Sequence, residues 1–244
     1  MLYLRSAIFN LLFSVVSIGY SIAILLAAPL VSECALGHLG NAWSRTSLVL
    51  LRVICGLDIQ VSGREYLPEH PVVILCKHSS AWETVALRTL FPCRQAWVLK
   101  RELLAIPFFG WALGRYHPIA IDRGSPRQAL KQVLTQGEIS LNAGRWVVLF
   151  PEGTRVAPGQ RGRYNISGAK LAERTGTDVL PIAHNSGVFW GRRAFTKRPG
   201  CIHLVIGAPI SSQGRGAAEI NRLAEDWIET TVASLPSSPD PSRT

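Results

Sequence analysis

Pro71-Val72-Val73-Ile74-Leu75-Cys76-Lys77-His78-Ser79-Ser80-Ala81-Trp82-Glu83 is an apolar run that ends abruptly in polar side chains, and Arg145-Trp146-Val147-Val148-Leu149-Phe150-Pro151-Glu152-Gly153-Thr154-Arg155 repeats the pattern. Both runs read as buried strands. Their polar strings are therefore expected at the carboxyl ends of strands, the edge where open α/β sheets bind ligands. Outward from this pair, strand-like runs lie at 58–61, 96–99, 118–121, 179–183 and 202–206, and helical patterns at 126–141, 167–175 and 217–235. Gly176 suits a helix stop after Thr175. The alternation predicts an α/β fold, a mixed, largely parallel sheet covered by helices, with an N-terminal hydrophobic, membrane-associating helical segment in front. Pro181 inside its run points to an edge strand or a bulge.

The first polar string offers a base and an acid. Histidine accepts a proton near neutral pH, and a carboxylate can fix its tautomer and stabilise the imidazolium. In continuous helix five residues would turn Glu83 about 140° away from His78, so the two meet only if His78 precedes a helix that Glu83 helps to open. The competing reading is structural: Ser80-x-x-Glu83 is a capping box for the helix carrying Val85, Ala86 and Leu87. Both readings can hold at once. In the second string, Pro151 and Gly153 make a tight turn whose backbone N–H groups can face an anion, and Arg155 supplies a planar fork suited to phosphate. Arg123, closing His117-Pro118-Ile119-Ala120-Ile121-Asp122-Arg123, is a second candidate clamp; its alternative is a surface pair with Asp122 worth under about 1 kcal/mol.

With Val179-Leu180-Pro181-Ile182-Ala183-His184-Asn185-Ser186-Gly187 added, these segments resemble, in order and separation, the glycerolipid acyltransferase superfamily, most closely its bacterial 1-acylglycerol-3-phosphate (lysophosphatidic acid) acyltransferases. The likeness spans residues 56–209 and includes Trp97-Val98-Leu99-Lys100-Arg101-Glu102-Leu103-Leu104. It implies that the His-x4-acid string carries the catalytic base and that Glu152, Gly153, Thr154 and Arg155 help bind glycerophosphate. It further implies that Arg123 binds phosphate, that Lys100 belongs to the substrate site and that the segment of Pro181 helps form the acyl-donor site. Two positions depart from the pattern: Glu83 stands where Asp is commoner, and Lys77 where Asn commonly precedes the histidine. On a strand Lys77 would point opposite to Cys76 and His78, so it is given no part in catalysis.

The chemistry so implied is direct acyl transfer. His78 takes the proton of the sn-2 hydroxyl of 1-acyl-glycerol-3-phosphate as that oxygen attacks an acyl thioester, either acyl-CoA or acyl-carrier protein, while Glu83 orients the imidazole. Ser79 and Ser80 are not required as nucleophiles, because the helix cap uses at least one of them. The product is phosphatidic acid for phospholipid synthesis, and no cofactor is expected beyond the thioester co-substrate. The alternatives are acylation of another lysolipid, such as a lyso-ornithine lipid, hydrolysis by the same His-acid pair, and a non-catalytic lipid-binding module.

Of 244 residues 48% are apolar, and the excess sits at the N-terminus. The 25 residues from Ala7 to Val31 carry no charge. As helix they would extend about 38 Å, more than the roughly 30 Å hydrocarbon layer of a bilayer. Asn10, Gly19, Tyr20 and Pro29 leave a kinked span or a re-entrant hairpin open, and a cleaved secretory signal competes, although its apolar region would be unusually long. Residues 36–55, with His38, Trp43, Arg45 and Arg52, read as a second helix at the membrane interface or packed on the domain. The chain thus divides into a membrane-associating region (1–55), an acyltransferase domain (56–235) and a Pro/Ser-rich tail (236–244) expected to be disordered.

Five cysteines, an odd number without a Cys-x-x-Cys pair, argue for a reducing compartment, and so for a catalytic domain on the cytoplasmic side of the inner membrane. The net charge of +10, from 26 basic and 16 acidic residues, gathers in Arg161/Arg163, Arg192/Arg193 and Lys197/Arg198, a pattern suited to anionic lipids and thioesters. No metal-ligand spacing and no nucleic-acid motif is present, so neither partner is expected. His184 reads first as a hydrogen-bonded turn residue.

Overall fold

The computed structural model describes residues 1–238. Seven strands, β1 (Leu57–Ser62), β2 (Val73–Cys76), β3 (Gln95–Lys100), β4 (Ile119–Ile121), β5 (Trp146–Leu149), β6 (Val179–His184) and β7 (Gly200–Ile206), form one sheet in the order β1-β7-β6-β2-β5-β3-β4. All pairings are parallel except that of β6 with β7. Every strand expected from the sequence is present, and the sheet is mixed and largely parallel.

Alternate residues of the central strands feed two cores. Ile74 and Cys76 pack with Val148, Leu180 and Ile182 on one face, and Val73 and Leu75 with Val147, Leu149 and Val179 on the other. Burial on both sides is why β2 and β5 are apolar at every position. The first face is covered by α1 (Leu2–Ala27) and α2 (Glu33–Cys55), through Phe9, Leu51 and Cys55. Three short helices, α3 (Trp82–Ala86), α4 (Phe109–Leu113) and α7 (Ser186–Phe189), follow strand ends or loops. The second face is covered by α5 (Pro126–Asn142), α6 (Ser167–Thr175) and α8 (Ala217–Ser234). Pro126 opens α5, where its missing N–H costs nothing, and Gly176 caps α6.

Four sequence expectations change. Pro181 lies in an interior strand, not at an edge. Its carbonyl accepts from Gly207 N–H at 2.9 Å, so its ring nitrogen faces the same side, in the gap between the Ile182–Ile206 register and the Val179–Ile210 bridge. There the ladder asks for no donor. Second, the uncharged N-terminal stretch is not one rod: α1 ends at Ala27, a turn through Pro29 follows, and Ser32 caps α2 by accepting from Ala35 N–H. Third, Cys34 and Cys93, 59 residues apart in sequence, form a disulfide. That removes the argument from cysteine number for a reducing compartment, since disulfides persist where thiols are oxidised. Cys55 and Cys76 are buried thiols, as their apolar runs suggested. Fourth, His38 lies beside the two bridged sulfurs, with its ring nitrogen 3.7 Å from Cys34 Sγ, a grouping the spacing did not announce.

Of the expected disordered tail, residues 239–244 lie outside the described residues. Within the described part, Pro236 is held by Asn185, whose Nδ2 donates to its carbonyl at 2.9 Å.

Candidate active site

Sheet order assembles the site. β2, β5, β3 and β4 are consecutive neighbours and parallel, so their carboxyl ends lie along one edge. His78 follows β2, Thr154 and Arg155 follow β5, Lys100 ends β3, and Arg123 follows β4. All five line one cavity of about 440 Å³, whose remaining wall is largely apolar and includes Tyr20 and Ile24 of α1, Trp43 of α2 and Phe109 of α4.

His78 and Glu83 meet as the spacing required. His78 Nδ1 lies 2.8 Å from Glu83 Oε1, and the same oxygen accepts from Ser79 N–H at 2.9 Å and Ser80 N–H at 2.8 Å. The bond to Ser80 N–H is the backward half of a capping box. Ser80 Oγ accepts from Trp82 N–H instead of completing it. Capping and base-orienting are therefore one geometry. Glu83 Oε2 accepts from Ser186 Oγ at 3.1 Å, and Ser186 Oγ also lies 3.0 Å from His184 Nδ1, whose Nε2 donates to the Lys77 carbonyl at 2.8 Å.

Burial alone would raise the fully buried Glu83 carboxyl, but the histidines and the surrounding N–H donors bring it down to about 2. Burial lowers His184, which the Glu83 charge only partly opposes, and Glu83 is anionic at neutral pH. An anion on Nδ1 fixes the proton there and leaves Nε2 as the basic nitrogen. The His78 ring stacks on Phe150 with centroids 4.1 Å apart, and Nε2 makes no hydrogen bond among the described residues.

The string from Phe150 to Arg155 divides into two parts. Thr154 and Arg155 line the cavity, and Arg155 Nε is buried without a partner. Glu152 turns the other way: Oε2 accepts from His78 N–H at 2.7 Å and Oε1 from Lys77 Nζ at 2.8 Å, while Lys77 also pairs with Glu229 of α8 at 2.8 Å. Burial raises the Glu152 carboxyl against the pull of Lys77. Gly153 takes a left-handed φ of 65° and spends its N–H on the Phe150 carbonyl, so that amide closes the turn and does not face an anion. Arg123 lines the cavity but is exposed, and partial desolvation lowers its pKa against the charge of Glu102. It forms no pair with Asp122, which instead accepts from Gly124 N–H. Lys100 pairs with Glu102 at 3.1 Å at the rim. Pro181 lies in the sheet and does not line the cavity.

A family model described as Acyltransferase matches residues 58–185. The 1-acyl-sn-glycerol-3-phosphate acyltransferase of Pseudomonas aeruginosa is 42% identical across 98% of this chain and 96% of its own. The chain belongs to the acyltransferase family. The protein of the same name from Saccharomyces cerevisiae is 26% identical over 76% of this chain and 62% of its own length. The crystal structure of the 1-acyl-sn-glycerophosphate (LPA) acyltransferase PlsC from Thermotoga maritima superposes with a TM-score of 0.79 over 94% of each chain, at 20% identity, a likeness of fold.

In this acyltransferase several residues escaped the sequence reading. Ser186 and His184 back Glu83 from 103 and 101 positions away, and only the pairing of β6 with β2 brings them there. Lys77, read as pointing away from the chemistry, does so, but as the hub of a buried ion cluster behind the histidine. Of the basic clusters, Arg192 and Arg193 line the cavity, whereas Arg161 pairs with Glu225 and Asp226 of α8, and Lys197 is buried beside Phe9 and Trp190.

Proposed function

We propose that this acyltransferase moves an acyl group from an anionic thioester, acyl-CoA or acyl-carrier protein, to the sn-2 hydroxyl of 1-acyl-glycerol-3-phosphate, giving phosphatidic acid. The observation that carries this reading is that His78 lines one cavity together with Lys100, Arg123 and Arg155 and with apolar side chains of α1, α2 and α4. Nε2 removes the hydroxyl proton as the oxygen attacks the thioester carbonyl. The C–S bond then breaks, and the proton passes from the imidazolium to the departing thiolate. Glu83 stabilises the imidazolium in between, and the arginines hold the phosphate bidentately.

A membrane surface as the workplace fits the hairpin. Leu4, Ile8, Leu11, Val15, Ile18, Ile22 and Leu26 form an exposed apolar stripe along α1, and Leu103, Ile106, Phe108 and Trp111 extend exposed apolar surface beside the cavity wall. Such a surface on a soluble monomer would be unusually large. The test is lipid product analysis with labelled acyl-CoA and acyl-carrier thioesters against lysophosphatidate and a phosphate-free lysolipid. Two-chain lipid formed only with the phosphorylated acceptor supports the reading. Equal turnover of the phosphate-free acceptor, or release of free fatty acid without acceptor, overturns it.

A further inference from the structure

Among the described residues, Arg88 is the one cation of the cavity lining that is almost wholly buried and has no acceptor. It lies four residues beyond Thr84, and both line the cavity. Its side chain is 6% exposed, its Nε has no partner, and no hydrogen bond or ion pair reaches the guanidinium among the described residues. What it touches is the Tyr116 ring, 4.3 Å below the guanidinium carbon. Tyr116 is itself fixed, its hydroxyl donating to the Leu36 carbonyl at 3.0 Å. On α2, Gly40 leaves the room: a Cβ there would come within 2.6 Å of Arg88 Nη2 and 2.9 Å of the Tyr116 oxygen. Three elements are thus shaped around a cation that has no counter-ion among the described residues, beside the apolar cluster in which Tyr116 packs with Ile24, Leu36 and Ala112.

Water can serve those donors while the cavity is open. A hydrocarbon chain that fills it expels the water and offers nothing in return, which leaves charged donors unpaired at a cost in binding. An oxygen on the chain would take the place of the water. We propose that Arg88, stacked on Tyr116, is a seat for an oxygen substituent on an acyl chain, a hydroxyl, oxo or carboxylate group, so that the enzyme takes oxygenated acyl chains in preference to unsubstituted ones. The inference rests on the acyl-transfer reading and adds a chain class to it. A site built to hydrogen-bond a substituent discriminates strongly against the analogue that lacks it.

The experiment compares palmitoyl-CoA with palmitoyl-CoA bearing a hydroxyl at successive carbons, each with plain lysophosphatidate. A second arm places the hydroxyl on the lysophosphatidate chain and keeps the donor plain, which tells which chain occupies the seat. The parent should favour at least one hydroxylated isomer by on the order of tenfold to a hundredfold in kcat/KM. Arg88→Met should lose that preference and gain on the plain chain, and Arg88→Lys should keep part of it. Equal use of all chains by the parent, or a preference that survives in Arg88→Met, overturns the proposal. Unfolding midpoints measured with each lysolipid give an answer independent of turnover: the hydroxylated lipid must stabilise the parent more than it stabilises Arg88→Met. Absence of any transfer with this stabilisation intact would count against the acyl-transfer reading alone.

Discussion

Glu83→Gln separates the orienting role of the acid from its structural one. Glu83 Oε1 accepts from His78 Nδ1 and from the Ser79 and Ser80 amides at 2.8–2.9 Å, and a glutamine carbonyl can accept the same three bonds, so the loop should stay in place. What disappears is the charge facing the imidazolium. At about 4 Å between charge centres and an effective dielectric of about 20, that attraction is about 4 kcal/mol, or roughly three orders of magnitude in kcat. KM for lysophosphatidate, which the proposed mechanism assigns to the arginines, should stay within about threefold. Stability should fall as well. A carboxyl held at about 2 against an ordinary 4.5 favours the folded, charged state by on the order of 3 kcal/mol at pH 7. Because the folded pKa is the lower one, that contribution is complete above pH 4.5 and is lost as pH falls toward 2. The unfolding midpoint of the parent should therefore drop more steeply across that window than that of Glu83→Gln, in which other lowered carboxylates such as Glu33 still titrate. The assay is single-turnover thiol release with lipid product quantified at pH 7.5. A kcat within about tenfold of the parent, with the variant folded, would refute the reasoning, since general-base support is worth more than that.

Arg155→Ala should raise KM for lysophosphatidate by about tenfold or more, with kcat little changed, because a charged hydrogen bond to phosphate is lost in ground and transition state alike; steady-state kinetics on vesicles reads this. Glu152→Gln removes one of the two carboxylates on Lys77 while Glu229 still neutralises the ammonium, so denaturant unfolding should show a loss of only about 1–3 kcal/mol, with kcat lowered because His78 N–H loses its carboxylate. Lys197, lowered by burial to about 8, holds its proton less tightly folded than unfolded. Its penalty is thus full below pH 8 and relieved as pH rises toward 10.5. The unfolding midpoint of the parent relative to Lys197→Met should climb across that interval.

The fold was legible because its central strands are buried on both faces and so are written as uninterrupted apolar runs, and because Gly176 and Pro126 punctuate helices in the ordinary way. His78, Arg123, Thr154 and Arg155 were legible because each follows a strand-like apolar run, and Glu83 because its spacing from His78 puts it in the first turn of the next helix. Glu152 and Gly153 share the motif but face elsewhere: one-dimensional proximity to Arg155 says nothing about which side of a turn a carboxylate takes. Partners distant in the chain left no trace in the sequence. Lys77 meets Glu229 across 152 positions, Cys34 meets Cys93 across 59, and Ser186 reaches Glu83 only through strand pairing. Of the two readings of Pro181, edge strand or bulge, the edge is wrong, while the one-residue slip between the Ile182–Ile206 pair and the Val179–Ile210 bridge is the irregularity that accommodates it.

Transfer from a labelled acyl thioester to lysophosphatidate, measured as phosphatidate formed by folded His78→Ala beside the parent, bears most directly on the central claim. The account predicts a loss of about a thousandfold with lysophosphatidate binding retained. Transfer within a few-fold of the parent would contradict it.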